Sequence, residues 1–500
     1  MKNTSAAVHQ IIHSMTASEK RYFQQYAGRQ AAGEPQQYLT LFQILCQQPV
    51  YDEAAARRQM PGRPGKAHFA VLKRHLYQHL LDALAQYHRR NNPSERLKGK
   101  LHAAQILRDK GLFTLMKQEL RSARKLLKQY QLNRHWPELL ELERSLVEKG
   151  LSQISKPALV EQWRTDWEQG LEALQEEGRL AFFSLHIAHR HFQKIQLSGP
   201  AASIKLKELI ESEAFMAGRN SPHIRSRMDY FRALSTYHFM QRQPQAALQA
   251  NAELIQLFEA NGFLIELYPQ RYLAALHNFL IDLFQMRQWG MLDEGLQKLK
   301  ALPFHPAFRK LRGVREKAFE QRATLELNMY LAKGAYSAAM AAIPEIEAGL
   351  RQYGRRIAPH NRQTLWYLMA YICFLESAPD RGLGLLNELL QARQKGVLEE
   401  LNRFANLLQL LLHYELGNYE LLPYLIASVR RQHQGLQPDY LSEQLLLECL
   451  RRLLNAADKE SRREALNKLS KEIENQELKK KEVRFFEYLD LKKWLNMREA

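Results

Sequence analysis

The side chains best suited to chemistry in this sequence are its histidines and its adjacent carboxylates. His75, His79 and Asp82 recur at four- and three-residue spacing. On a helix they share one face and offer two imidazoles and a carboxylate to a metal ion. In LHIAHRHF, His186 and His189 share a face and His191 does not, and His9 and His13 lie four apart near the start. A helical chain with 18 histidines produces such pairs by chance, so none is assigned as a metal ligand. Glu176/Glu177 and Glu399/Glu400 are paired carboxylates, read as solvated surface. No phosphate loop, G-x-S-x-G, H-E-x-x-H or dinucleotide fingerprint is present. Cys46, Cys373 and Cys449 are odd in number and far apart, which fits buried thiols in a reducing cytosol and no disulfide framework. No catalytic residue, metal or cofactor is therefore assigned, and the expected class is not an enzyme.

Charge is the stronger signal. Net charge is +19, and residues 1–150 carry 25 Lys and Arg against 12 Asp and Glu. Residues 151–450 carry 33 against 31, and residues 451–500 carry 14 against 10. A basic front attracts nucleic acid, an acidic protein or an anionic surface. Its candidate contacts are Arg57, Arg58, Arg63, Lys66, Lys73, Arg74, Arg89 and Arg90.

Several elements must position these cations. Thr16-Ala17-Ser18-Glu19 is a capping box that opens a helix. Helices are expected at YLTLFQILCQQ and YDEAAARRQ, then a loop at MPGRPGK and a long helix over about 67–88. In that helix Phe69, Leu72, Leu76, Leu80, Ala83 and Tyr87 form an apolar stripe. Short helices, a basic turn and a longer basic helix also fit a helix-turn-helix arrangement. Lys73 falls inside the apolar arc, where its stem is expected to be buried with only the amine free.

Beyond the front a punctuation recurs: a helix, a polar or glycine break, and a small or apolar residue about five positions on. It reads Gly111/Phe113/Met116, Arg242/Pro244/Ala247, Arg287/Trp289/Leu292, Gly334/Tyr336/Ala339, Ala378/Asp380/Leu383 and Gly417/Tyr419/Leu422. The last five breaks are 287−242 = 45, 334−287 = 47, 378−334 = 44 and 417−378 = 39 residues apart. Weaker breaks fall at Gly150–Pro157 and Leu197–Ser203. A period in this range marks a helical solenoid whose paired helices bury their apolar faces by stacking.

The stretch G-x-Y-x-x-A at Gly334–Ala339 resembles the inter-helix turn of a tetratricopeptide repeat, although the spacing here exceeds the roughly 34 residues of that family. The segments SEKRYF…YLTLF…VYDEAA and FFEYLDLKKWL resemble a helical-repeat family of Bacteroidota genomes that carries no established activity. The fold class expected is all-α: a tetratricopeptide-like α-solenoid of antiparallel helix pairs with a basic helical N-terminal segment. Residues 1–95 form the basic segment, 96–457 about eight helix pairs, and 458–500 charged capping helices. In the tail, Phe485, Phe486, Tyr488, Leu489, Leu491, Trp494 and Leu495 give an apolar face that caps the array, with a membrane-surface helix as the alternative. Pro344 and Pro423 fall where second helices should run, so those helices either kink or begin later.

The opening MKNTSAAVHQIIH lacks the apolar core of a signal peptide, and Trp366–Leu375 is too short to span a bilayer. The expectation is a cytoplasmic scaffold for a protein or peptide partner, with Arg232, Asn278, Arg322 and Asn328 lining its groove. The rival is a nucleic-acid-binding regulator that grips phosphate with its basic front.

Overall fold

The computed structural model describes residues 4–30, 37–148, 157–193, 200–309, 311, 313–392 and 398–499. Among these residues the secondary structure is helical throughout, with no strand, and no helix is long and apolar enough to cross a membrane. The chain divides into two compact units, residues 1–314 and 315–500.

In the first unit the front is a small helical core. Thr16 and Glu19 close the capping box reciprocally: the Thr16 backbone N–H donates to Glu19 Oε2 (2.7 Å) and the Glu19 N–H to Thr16 Oγ1 (3.3 Å). Helices Gln37–Gln47, Glu53–Gln59 and Lys66–Asn91 stand where the sequence places them. Phe69, Leu76, Leu80 and Ala83 of the long helix are buried among Val8, Ile12, Phe23 and Phe42. The start, which carries no clear helical signal, is itself a helix, Thr4–Ser14, because Val8 and Ile12 meet that core.

The recurring break has one physical form. At Gly111, Arg242, Arg287, Gly334, Ser377 and Gly417 the backbone is left-handed, with φ between 55° and 73°. At each, the next residue's N–H reaches back five residues: Leu112 to Leu107 O, Gln243 to His238 O, Gln288 to Leu283 O, Ala335 to Tyr330 O, Ala378 to Cys373 O and Asn418 to His413 O, at 2.8–3.0 Å. This is the Schellman closure, which satisfies helix-end carbonyls and turns the chain. Glycine adopts it without strain, whereas Arg242, Arg287 and Ser377 do so at a cost of about 1–2 kcal/mol each. The residue two on begins the next helix at Phe113, Pro244, Trp289, Tyr336 and Pro379. The residue five on is buried: Met116, Ala247, Leu292, Ala339, Gly382 and Leu422. The fifth break is thus centred on Ser377, one residue before Ala378, and its close-packed residue is Gly382, where Leu383 was expected. A Cβ on Gly382 would lie 3.0 Å from Leu412 Cδ2 and 3.1 Å from the Ala370 carbonyl.

About Gly334 the contacts fall at matching distances on either side, so Tyr336–Tyr353 runs back along Val314–Lys333. Phe319 fills the space beside Gly349, and Arg322 pairs with Glu345, both about Gly334. Pro423 sits in the first turn of Leu422–His433, where its missing N–H costs nothing. Pro344 stays inside Tyr336–Tyr353, a cost of about 3 kcal/mol that burial of Ala339, Ile343, Ile346 and Leu350 offsets. The weak breaks fall mainly on 149–156 and 194–199, outside the described residues.

In the second unit the tail does more than cover the last pair. Tyr367 donates its hydroxyl to the Tyr488 carbonyl (2.8 Å), and the Asp490 N–H donates to the Tyr371 hydroxyl (3.1 Å). Trp494 is fully buried and donates Nε1–H to Glu415 (2.9 Å). The Tyr488 ring stacks on Phe404 at 4.6 Å. The aromatic face that suggested a membrane-surface helix is thus occupied by helices Pro359–Leu375 and Glu399–Glu415.

Candidate functional site

The basic front presents its cations in three ways. Asp52 caps Glu53–Gln59 by accepting the Ala55 N–H (3.0 Å), and that helix carries Arg57, half-buried, and Arg58, exposed. Gly62 and Arg63 then take left-handed conformations, leaving Arg63 and Lys66 exposed at the start of the long helix. Arg74 is exposed one turn beyond Ala70, and Arg89 is exposed near the helix end. No carboxylate partner accompanies Arg57, Arg58, Arg63, Lys66, Arg74 or Arg89 among the described residues; the Arg90 side chain lies outside them.

Lys73 departs from the expectation. It is buried, its ammonium is 2.7 Å from Glu53 Oε2, and it lies 5.2 Å from the Phe69 ring centroid. It holds Glu53–Gln59 against Lys66–Asn91, so its amine is not available to a partner. A buried ammonium without such a carboxylate would be strongly disfavoured.

At its far end the long helix meets Pro93–Asp109, whose start is capped by Asn92 accepting the Ser94 N–H (2.8 Å). A cleft of about 570 Å³ opens there, between Tyr22 and Arg89 on one side and Arg96, Lys100 and Glu119 on the other. Its first wall is fixed: His88 Nε2 lies 2.9 Å from Glu19 Oε1, and the Tyr22 and Tyr87 rings are 5.3 Å apart. Lys100 is neutralised by Glu119 at 2.8 Å. Arg89 donates to the Gly99 carbonyl (3.2 Å) and lies over that glycine. Reading the sequence misses this cleft; its one signal is Gly99, a glycine inside a helix between Lys98 and Lys100.

The four groove positions fare differently. Arg322 is buried and spent on Glu326 (2.9 Å) and Glu345 (2.8 Å). Arg232 donates to Ser184 Oγ (2.9 Å) and Asp229 (3.1 Å), and burial lowers its pKa against the pull of Asp229. Asn328 donates to the Thr324 carbonyl of its own helix (2.7 Å), and Asn278 is exposed. Arg232 and Asn278 belong to the first unit, Arg322 and Asn328 to the second.

The chemical constellations resolve into structural roles. His9 and His13 pack with tilted rings, centroids 4.1 Å apart, and contact the carbonyls of Gln48 (2.8 Å) and Leu45 (3.0 Å). His79 stacks on Tyr38 at 4.7 Å, while His75 and Asp82 are exposed. His186 packs by Phe182, and His191 meets Phe239 edge-on, with His189 exposed. Two carboxylates expected as solvated surface find partners instead, one buried and one half-buried. Glu177 is buried, paired with Arg225 (3.3 Å) and Asn133 (3.0 Å), and burial raises its pKa. Glu400 accepts from Tyr440 (3.0 Å) and pairs with Arg484. Cys373 and Cys449 are buried thiols, pushed up to about 11 and about 12 by burial, and Cys46 is half-buried.

A buried polar network joins Arg403, Glu443 and His433. Burial pushes the Glu443 carboxyl up, but hydrogen bonds from His433 and Arg403 more than offset it and hold it below the usual carboxylate range. Deep in the first unit Asp282 is pushed up to about 6 by burial, against the opposing hydrogen bond from Asn251 (2.6 Å). Both lie within helix packing. Comparison with protein-family models, with curated proteins and with solved structures gives no match for this chain.

Proposed function

We propose that the chain is a non-catalytic helical-repeat scaffold of the cytoplasm, whose helix pairs stack as a tetratricopeptide-like α-solenoid and offer a surface to a protein or peptide partner. The observation that carries this reading is the reuse of one turn: a left-handed residue, a Schellman closure and a buried residue five positions on, at six places. A helix pair cannot bury its apolar face alone, so such units stack and build an extended binding surface. The likeness to the tetratricopeptide turn and to the Bacteroidota repeat family belongs to the same proposal, as do the segments 1–95, 96–457 and 458–500. Asn278 is the groove position open to a partner; Arg322 is withdrawn from that role by its two carboxylates. The test is affinity capture from the native cell with and without nuclease. Protein partners that persist after nuclease support the scaffold, and partners that vanish overturn it.

A second reading is favoured by the cations at Arg57, Arg58, Arg63, Lys66 and Arg74, which lack carboxylate partners among the described residues. In it the front contacts nucleic-acid phosphate, and each contact releases condensed counterions. Labelled DNA and RNA are titrated at several salt concentrations against the native chain and a variant with Arg57, Arg58, Arg63 and Lys66 replaced by Ala. The variant should lose up to about one unit of salt slope per contact. No binding by the native chain at low salt ends this reading.

A further inference from the structure

The cleft between Lys66–Asn91 and Pro93–Asp109 stands apart from both docking readings. We propose that it binds the phosphate of a nucleotide-sized ligand. Its cations outnumber its acids: Arg89, Arg96 and Lys100 line it, Glu119 is the one carboxylate on its wall, and Glu119 is taken by Lys100. Arg96 has no carboxylate partner among the described residues, and Arg89 donates to a neutral carbonyl, which leaves its charge uncompensated. Two guanidiniums facing one cleft without a counter-charge repel each other, and an anion relieves that repulsion. Guanidinium forks suit phosphate because they donate paired, charge-assisted hydrogen bonds.

Gly99 shows that the arginine has a prepared seat. Glycine inside a helix is unfavourable relative to alanine. Here the room left by its missing side chain is filled: a methyl group at Gly99 would sit 2.9 Å from Arg89 Cζ and Nη2, and closer still to Nε. The guanidinium lies on the glycine and donates to its carbonyl, at the wall of the cleft. A merely solvated arginine needs no such seat.

Size and wall chemistry select the ligand class. About 570 Å³ falls in the range of small-molecule sites, roughly 300–1,000 Å³. On the Arg89 side the cleft is also lined by the Tyr22 ring and the Gln86 amide, an apolar face and a hydrogen-bonding group suited to a base. A nucleotide supplies both the anion and the planar ring.

The experiment is calorimetric titration of the full chain with ADP and with inorganic pyrophosphate at low and moderate salt. ADP should bind, more tightly than pyrophosphate. Arg96→Ala and Gly99→Ala should each weaken ADP by about tenfold or more. Gly99→Ala evicts Arg89 from its seat while improving helix propensity, so its melting temperature should stay the same or rise, which separates lost binding from lost fold. The Arg57, Arg58, Arg63 and Lys66 to Ala variant should bind ADP as the native chain does. Pyrophosphate binding equal to ADP overturns the nucleotide assignment. No binding of either ligand, or binding indifferent to Arg96→Ala and Gly99→Ala, overturns the site. So does binding lost in the fourfold variant, which would trace the affinity to the open basic face.

Discussion

The front helix Lys66–Asn91 and the tail from Lys459 to Glu499 look alike as sequence, both basic and both amphipathic, yet they end in opposite environments. The front turns its apolar stripe inward and leaves Arg58, Arg63, Lys66 and Arg74 outside without acids to meet them. The tail also buries its apolar face, but two of its arginines find acids on the helices it covers: Arg484 pairs with Glu400 and Arg498 with Glu415. Lys73 shows the tail's behaviour inside the front, since Glu53 reaches it. A cation is available to a partner only where the fold brings no carboxylate within reach, and net charge along the chain does not report that.

The largest expected effect concerns the tail. Trp494→Ala should cost about 3–5 kcal/mol in denaturant unfolding, because it empties a fully buried indole site and removes the donor to Glu415. A loss below about 1 kcal/mol would make the tail a loose cover and break the contrast with the front. Between the two regions lies the repeat turn. Ala339→Trp should destabilise by about 1–3 kcal/mol through overpacking, since Ala339 is wholly buried five residues beyond Gly334. An unchanged melting temperature would remove Ala339 from the helix contact.

Within the front, Glu53→Gln should cost about 1–3 kcal/mol, because the buried Lys73 ammonium keeps an acceptor but loses its counter-charge. Lys73→Met in the same background should recover part of that loss; no recovery would mean that Glu53 acts through something other than Lys73. The smallest effect sharpens the comparison most. Arg58→Ala and Arg63→Ala should each change stability by less than about 0.5 kcal/mol, while Arg498→Ala, which removes a partner of Glu415, should cost more than either. Equal losses at all three would erase the distinction.

Short-range interactions made much of this legible in advance. The capping box at Thr16–Glu19 and the stripe from Phe69 to Ala83 were readable because hydrogen bonds and helical spacing act over a few residues. The breaks were readable for the same reason, although Ser377 was placed one residue late and the left-handed turn at Gln131, which ends Phe113–Tyr130, carries no glycine to announce it. Of the candidate contacts, the exposed arginines stand where the stripe implied, and Lys73 is buried in the apolar arc as implied, but its amine is not free, because Glu53, 20 residues away in the chain, reaches it. Glu177 likewise leaves the surface to meet Arg225.

By itself, the sequence determined the helical class, the repeated turn and which face of the front helix is apolar, since each depends on neighbours along the chain. Tertiary structure alone decided which charges are spent and which are left over. It carried Tyr488 back to Tyr367 across 121 residues and laid Arg89 in the space beside Gly99. Ion pairing and burial depend on groups brought together by packing, and their partners leave no mark at any fixed spacing in the chain.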